Sequence, residues 1–230
     1  MTNFMSNSIF FGAALSLIAY EVGLLLKRKF KMAIFNPLLI SIIAVIAVLC
    51  LLHIDYDTYN QSGQYISYLL TPATVCLAVP LYQQMELLKK NLKAVVIGIV
   101  SGVLASMVSV LIFAKLFGLS HSEYVTLLPK SITTAIGMGV SEELGGLVTI
   151  TVAVIIITGV LGNVIAEAVL KVAKIEEPIA KGLALGTSAH AIGTSKAMEL
   201  GPVEGAMSSL AIAVAGLLTV IAASVFAGFM

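Results

Sequence analysis

Charged residues are scarce in this sequence, and it contains only two cysteines. Asp, Glu, Lys and Arg make up 11% of the 230 residues, while the set AVILMFWYC makes up 59%. Soluble domains carry about 25% charged and roughly 45–50% apolar residues. So few charges cannot cover a surface that faces water, which excludes a soluble enzyme, a disordered chain and a coiled coil. The composition predicts an all-α polytopic membrane protein.

The cysteines and the charge balance narrow the class further. Cys50 and Cys76 each lie inside an apolar run, so we expect them to be small buried apolar residues; a disulfide framework or metal site would need more cysteines with ligand spacing. The net charge is +1, which gives no indication of a nucleic-acid partner. The first nine residues contain no Lys or Arg, so we expect no cleaved signal peptide and a first span that stays in the mature chain.

The apolar runs predict the membrane segments, because a bilayer core about 30 Å thick needs roughly 20 helical residues. Residues 66–82 form a run that contains Pro72 and Pro80, and the segments 124–146 and 182–200 are rich in glycine and hydroxyl residues. We predict about seven or eight transmembrane segments, two of them interrupted or re-entrant. The uninterrupted apolar runs are residues 10–26, 38–52, 94–117, 147–170 and 206–230.

Basic residues cluster after three of these runs. The positive-inside rule places all three clusters in the cytoplasm and the N-terminus outside a plasma membrane. Segment 124–146 must then begin and end outside, so we expect it to be re-entrant or broken and to line a cavity, since polar backbone at membrane depth needs protein or water around it. The clusters are Lys27, Arg28, Lys29 and Lys31; Lys89, Lys90 and Lys93; and Lys171, Lys174 and Lys181.

Two parts of the chain show the same order of an uninterrupted, a broken and an uninterrupted run. On the predicted topology they start on opposite sides, which is typical of an inverted repeat whose broken helices hold a substrate near the midplane. An apolar sequence also offers such symmetry by chance. We treat residues 1–230 as a single integral membrane domain, with a first span and basic loop at 1–37, a first repeat at 38–117, a re-entrant or broken segment at 124–146 and a second repeat at 147–230.

The richest polar cluster lies at residues 186–196, where two Gly-Thr-Ser triplets flank His190. In a continuous helix, Thr187, His190 and Thr194 share one face. If the helix breaks at Gly193, the amides of Thr194 and Ser195 begin a second half-helix whose N-terminus favours an anion. The alternative is helix–helix packing by hydroxyl groups. The substrate-binding candidates from this cluster are Thr187, Ser188, His190, Thr194 and Ser195.

A second candidate cluster follows Pro129. Lys130 is the cation that could face an anionic substrate, because an intramembrane lysine is costly and functional by default; the alternative is that it snorkels to the interface. The remaining candidates are Ser131, Thr133, Thr134 and Glu142 in this segment, and Thr74 between the two prolines of the run 66–82.

Motifs for enzymatic chemistry are missing from the sequence. It contains no H-E-x-x-H, no G-x-S-x-G and no G-x-x-x-x-G-K-[ST], the patterns of zinc proteases, nucleophile elbows and phosphate loops. We therefore expect no enzyme, no cofactor and no metal site. Glu167 has Lys171 four residues later on the same predicted helix, and we expect these two to form an ion pair.

Several long motifs in order resemble the LrgB/CidB family. They are residues 73–82, 127–134 with 141–146, 182–186 running into 188–194, and 204–209. The resemblance implies a membrane protein of the antiholin-like or holin-like kind, which acts with a small LrgA/CidA-type partner and influences murein hydrolase activity and autolysis. Related proteins, among them a plastid protein, are similar to carriers of glycolate, glycerate and pyruvate.

Two functions remain open at this point. The first is transport or facilitation of small monocarboxylates of the pyruvate, glycolate or lactate kind by a protein embedded in the lipid bilayer. The second is an antiholin-like or holin-like assembly that forms pores or regulates lysis without a dedicated substrate. With either function we expect the protein to form a homo-oligomer. The polar residues on interrupted segments favour the first, because a pore formed by association needs surfaces that associate and no internal binding site.

Overall fold

The computed structural model describes residues 10–30, 32 and 35–230. Every regular element in these residues is an α-helix, which confirms the predicted class. The helices are α1 (Phe11–Phe30), α2 (Pro37–Leu52), α3 (Tyr56–Ser67), α4 (Leu70–Cys76), α5 (Ala78–Gln83), α6 (Met85–Lys90), α7 (Leu92–Phe117), α8 (His121–Leu127), α9 (Thr134–Glu143), α10 (Val148–Val172), α11 (Pro178–Leu200) and α12 (Pro202–Ala227).

Four helical stretches of the described residues are long and apolar enough to cross a membrane. They are Tyr56–Gln83, which includes α3 to α5, and the helices α7, α10 and α12; α2 is a shorter apolar helix. Helix α1 falls outside this group because any 18 consecutive residues within it include the three charged residues Glu21, Lys27 and Arg28. The protein is thus a multi-pass membrane protein by composition and length, while the number of seven or eight segments stays a prediction.

The chain divides into two compact units, residues 1–76 and 77–230. In the first unit α1 packs on both α2 and α3. Gly23 allows the contact with α2, since a Cβ there would lie 2.7 Å from the carbonyl oxygen of Pro37. Ser62 Oγ on α3 accepts a hydrogen bond of 2.7 Å from the backbone N–H of Gly12. The described part of the first unit is therefore a small helical bundle held by close backbone contacts.

The interruptions predicted at the two prolines are present. Pro72 and Pro80 cannot donate to the carbonyl groups four residues earlier, at Tyr68 and Cys76. The helices break at residues 68–69 and at Leu77, directly at those positions. The boundary between the two units falls at the second of these breaks, inside the first predicted repeat.

The two cysteines do not have the predicted environment. Cys50 on α2 and Cys76 at the end of α4 are both exposed. An apolar neighbourhood in sequence indicates burial only when the solvent is water. In a membrane protein the outward-facing side chains contact lipid and are apolar as well, so the prediction was wrong.

The second unit is built on α7, α10 and α12. Apolar side chains at every third or fourth position of α7 are buried against α12, among them Val95, Ile99, Val103 and Met107, the spacing of one helical face. Small residues such as Ala211 and Ala215 on α12 let the helices approach. We call the end where α7 begins and α10 stops the basic end, after Lys93 and Lys171.

Residues 121–146 form hairpin 1, which enters from the end opposite the basic end. Ser120 caps α8 by a capping box with Glu123, and the two bonds that Ser120 donates to this exposed carboxylate hold the pKa of Glu123 below its usual range. The chain turns at residues 128–133 and returns as α9. Thr126 Oγ1 accepts a bond of 2.7 Å from the Leu147 N–H, so both limbs begin at the same end.

Residues 178–200 form hairpin 2, which enters from the basic end. The helix is broken at His190, with φ 43° and ψ −137°, and not at Gly193 as one alternative predicted. The two arms are antiparallel: a Cβ at Gly193 would lie 2.6 Å from the carbonyl oxygen of Leu185, eight residues earlier. At this break the ring of His190 contacts α10, a contact between distant segments that the local sequence does not contain.

The path of α12 confirms that hairpin 2 does not cross the unit. Gly182 and Gly186 pack on Glu204 and Ser208 in parallel order, so α12 leaves from the basic end. Its other end meets hairpin 1, where Tyr124 Oη donates a bond of 2.9 Å to the carbonyl oxygen of Phe226. Each of α7 and α10 is thus followed by a hairpin that enters and leaves at one end of the unit, and the two pairs run in opposite directions.

Candidate functional site

A cavity of about 910 Å³ lies in the second unit, between α7, the first arm of hairpin 2 and the turn of hairpin 1. It extends from the basic end to the middle of α7, where Ser106 lies. Its walls contain many small residues, and its surface is mainly apolar, with short hydroxyl groups and a few charged side chains set into it. The lining residues are Asn91, Ala94, Gly98, Ser101, Gly102, Ala105, Ser106, Ser109, Lys130, Ser131, Val169, Glu177, Ile179, Ala180, Leu183, Ala184, Thr187 and Ser188.

The inner end of the cavity is formed by Lys130 and Ser131, in the turn of hairpin 1. Ser131 is buried, and its Oγ accepts bonds from Lys130 Nζ at 3.0 Å and from Ser106 Oγ at 3.1 Å. A hydroxyl oxygen accepts two hydrogen bonds and donates one. Both acceptor positions of Ser131 are therefore used, and its proton is left to donate.

The ammonium group of Lys130 is not neutralised locally. In the part of the chain that the structure describes, the nearest contact of Nζ is the Ser131 hydroxyl, and no carboxylate lies within ion-pair distance. Lys130 is only partly exposed, and a partly buried charge is costly unless it is paired. Two N–H groups of Lys130 and the O–H of Ser131 thus form a cluster of donors that suits an anion with two oxygen atoms.

Thr187 and Ser188 bring hairpin 2 to the same cavity. Thr187 is buried against α7, where a Cβ at Gly102 would lie 2.7 Å from its Oγ1. Ser188 is exposed, and its hydroxyl donates to the carbonyl oxygen of Ala184 at 2.6 Å. Thr187 contacts α7 one turn away from Ser106, the residue that Ser131 contacts. The structure therefore brings four of the sequence-derived candidates, Lys130, Ser131, Thr187 and Ser188, to one cavity.

His190, Thr194 and Ser195 lie in hairpin 2 but do not line the cavity. His190 Nε2 is 3.0 Å from the carbonyl oxygen of Ile155 on α10. Thr194 Oγ1 and Ser208 Oγ are 2.7 Å apart in a buried contact with α12. Ser195 Oγ accepts a bond of 3.2 Å from the side chain of Asn163. The break at His190 is the reason: it places Thr187 and Thr194 on different arms, so they share no face.

The other candidates lie elsewhere. Thr133 and Thr134 begin α9 and are half-buried just past the turn of hairpin 1. Glu142 is exposed near the end opposite the basic end, far along α9 from Lys130. The side chain of Thr74 is outside the described residues. Among the described side chains, those of Thr133, Thr134 and Glu142 do not line the cavity.

Sequence reasoning missed the contribution of α7. Ser101, Ser106 and Ser109 line the cavity, yet isolated serines in an apolar helix are equally typical of packing. The small residues of α7, at Gly98, Gly102, Ala105 and Ser106, were a usable signal, because they recur on one side of the helix. Nothing in the sequence marked Glu177, at the basic end of the cavity, as a lining residue.

The second arm of hairpin 2 is held on α10 by an ion pair. Lys196 Nζ contacts the carboxylate of Glu167 and lies 3.1 Å from Glu199 Oε2. The sequence predicted Lys171 as the partner of Glu167, at the favourable spacing of four residues. That prediction was wrong, because the folded-back arm brings Lys196 to the same carboxylate. The ion pair lies on the α10 side of hairpin 2, away from Lys130.

The model of the LrgB-like family matches residues 16–229. Proteins called antiholin-like protein LrgB from Bacillus mycoides (strain KBAB4), Bacillus cereus (strain B4264) and Bacillus anthracis (strain CDC 684 / NRRL 3495) are each 39% identical to this chain over 222 residues, which is 96% of this chain and 96% of each relative. No solved structure matches the chain.

Proposed function

Because the chain belongs to the LrgB-like family, a family of membrane proteins and not of enzymes, we propose that it carries small monocarboxylates across the plasma membrane. The carried acids are of the size of pyruvate, glycolate and lactate. The protein acts with a small LrgA/CidA-type membrane protein, and the movement of these acids is its link to the control of murein hydrolase activity and autolysis.

One observation carries this proposal: Lys130 lies at the inner end of the cavity without a carboxylate partner among the described residues. Its ammonium group and the Ser131 hydroxyl offer donors, and a carboxylate offers the matching acceptors in a charge-assisted pair. With one cation at the inner end, the site suits a single carboxylate. The hydroxyl oxygens of Ser109 and Ser188, whose protons are donated within their own helices, remain as acceptors for the uncharged part of the acid.

The two hairpins provide the means to move the acid. Paired interrupted helices near the midplane, in repeats of opposite direction, are typical of carriers that expose one site alternately to each side. The opposite directions of the α7–hairpin 1 pair and the α10–hairpin 2 pair support an inverted repeat, with shorter repeats than residues 38–117 and 147–230. By the positive-inside rule the basic end faces the cytoplasm, so the end of the cavity at Asn91 and Glu177 lies on the cytoplasmic side and the N-terminus lies outside.

A second candidate function is the antiholin-like one for which these relatives are named. It would act through assembly, by forming or blocking pores that regulate lysis, and needs no substrate. The cavity and the uncompensated charge of Lys130 favour the carrier, because association surfaces do not require either. Both functions can hold together, since export of a metabolic acid alters the energetics of the envelope.

The test is uptake of labelled pyruvate, glycolate and lactate into proteoliposomes that contain the purified protein. We expect saturable uptake that Lys130→Ala abolishes, because the variant removes the cation of the site and leaves no other in the cavity. Lys115→Ala is the matched control, since Lys115 lies at the far end of α7 and is exposed. Release of an entrapped dye without saturable acid uptake, or uptake unchanged in Lys130→Ala, would contradict the carrier and favour the pore.

A further inference from the structure

The backbone at His190 has a conformation that residues with a side chain avoid. Its φ of 43° and ψ of −137° interrupt the helix between the two arms of hairpin 2. Such combinations of positive φ and extended ψ are occupied almost only by glycine, and other residues keep them only where the surroundings impose them. Something in the structure must therefore hold His190 in place.

The ring of His190 provides that hold. A carbonyl oxygen can only accept, so the contact of 3.0 Å between Nε2 and Ile155 O means that Nε2 carries a hydrogen and donates it. The ring lies where α10 has no side chain: a Cβ at Gly159 would lie 2.7 Å from both Cε1 and Nε2. The neighbouring Ala189 fits against Gly162 in the same way, with a Cβ separation of 2.5 Å. Gly159 and Gly162 of α10 thus leave the space into which the turn of hairpin 2 packs.

The opposite side of this turn forms the cavity wall. Thr187 and Ser188, three and two residues before His190, line the cavity, and Thr187 is buried against Gly102 of α7. The turn is therefore bound on one side by α10 through the ring of His190 and presents hydroxyl groups on the other. A shift of the ring must shift Thr187 and Ser188 as well, because so few bonds separate them.

We propose that His190 is the positioning residue of this site: its ring, docked on α10 at Gly159 and Ile155, holds the turn of hairpin 2 in a strained conformation that keeps Thr187 and Ser188 at the cavity wall. His190 acts through these two residues and does not contact the substrate. The proposal rests on the proposed function only in taking the cavity as the place where the acid binds.

The test measures the docked turn without any substrate. In a chain with Cys50→Ser and Cys76→Ser, which removes both native cysteines, Thr187→Cys reports on the turn by its rate of reaction with a small water-soluble maleimide. Thr187 borders the cavity but is buried, so its cysteine reacts slowly while the turn is docked and faster when the turn leaves α7. We expect His190→Ala and Gly159→Ala each to raise the rate roughly threefold to tenfold, the equilibrium shift that one net hydrogen bond supplies.

Three controls distinguish release of the hairpin 2 turn from a general destabilisation of the structure. Thr219→Cys, buried on α12, is expected to keep its rate in both variants. Gly139→Ala, where an added Cβ meets nothing within 4 Å, is expected to leave Thr187→Cys unchanged. His190→Gln, which keeps an N–H donor at a similar reach, is expected to react more slowly than His190→Ala and provides a milder variant if His190→Ala does not fold.

The double variant, which combines His190→Ala with Gly159→Ala, gives the clearest test of the positioning role. Gly159→Ala acts by displacing the ring, and its other contact is the mobile end of Ile192, so it is expected to add nothing in the His190→Ala background. In uptake assays the same variants are expected to raise the KM for pyruvate while the yield of folded protein stays constant.

Unchanged labelling of Thr187→Cys in both single variants, or full additivity in the double variant, would overturn the positioning role even if acids are transported. Labelling that behaves as expected would support it even if no monocarboxylate is carried, so the two proposals can fail separately.

Discussion

Ser131 determines how the inner end of the cavity meets a ligand. Its oxygen accepts from Lys130 and from Ser106, so its proton is left to donate to a ligand. A lysine and a serine that are neighbours in sequence usually point in different directions in a helix. Here the turn of hairpin 1 places the two side chains together, which turns two ordinary residues into a pair of donors.

Ser131→Ala is expected to weaken the binding of monocarboxylates without preventing folding. The acid loses one donor and Lys130 loses its hydroxyl contact; for a hydrogen bond to a charged group this amounts to about 1.5–3 kcal/mol, or roughly tenfold to a hundredfold in KM. Initial rates of pyruvate uptake would show it. Ser224→Ala, an exposed serine on α12 that bonds only to its own helix, is the control, and an equal KM for both variants would refute the role of Ser131.

Residue types predicted part of the site and not the rest. Lys130, Ser131, Thr187 and Ser188 could be found from sequence because a charge or a dense group of hydroxyls inside an apolar segment is rare. His190 was also a candidate, and the structure places its ring against α10 and outside the cavity lining. The sequence could not show that Gly159, more than 30 residues away, leaves room for the ring.

At the scale of elements, the sequence locates the helix breaks near the two prolines of the run 66–82 but not the break in hairpin 2. Proline breaks a helix by local chemistry, so the breaks at residues 68–69 and 77 follow from Pro72 and Pro80. The break in hairpin 2 coincides with a contact between His190 and α10, and a glycine three residues away was the better local candidate. Burial is likewise hard to predict from the sequence, because side chains that face lipid and side chains that are buried are both apolar.

Side-specific labelling tests whether hairpin 2 is re-entrant. In the chain without native cysteines, Lys174→Cys and Glu199→Cys flank the hairpin and Phe229→Cys lies near the end of α12; all three positions are exposed. An impermeant maleimide is expected to reach the first two from one side of the membrane and the third from the other. Labelling of Lys174→Cys and Glu199→Cys from different sides would show that residues 178–200 cross the membrane.

At the scale of the whole molecule, the distribution of polar groups indicates where the chain does its work. In the described residues of the second unit, the helices α7, α10 and α12 have apolar outer faces, and the partly buried charge of Lys130 lies where the two hairpins approach the middle of α7. Composition alone predicted the membrane class, and the excess of basic residues after alternate runs predicted one end of the unit. The route of α12 could not be predicted, because it depends on whether hairpin 2 crosses.

The central claim is that a monocarboxylate occupies the cavity with its charge on Lys130. Ser188→Cys, in the chain without native cysteines, provides a label on hairpin 2 that faces this cavity across from Lys130 on hairpin 1. Pyruvate is expected to slow its reaction with a water-soluble maleimide in a saturable way, and the uncharged methyl ester of pyruvate is not. Lys130→Ala is expected to abolish this protection and Lys115→Ala to preserve it; protection that persists in Lys130→Ala, or that none of pyruvate, glycolate and lactate provides, would contradict the account.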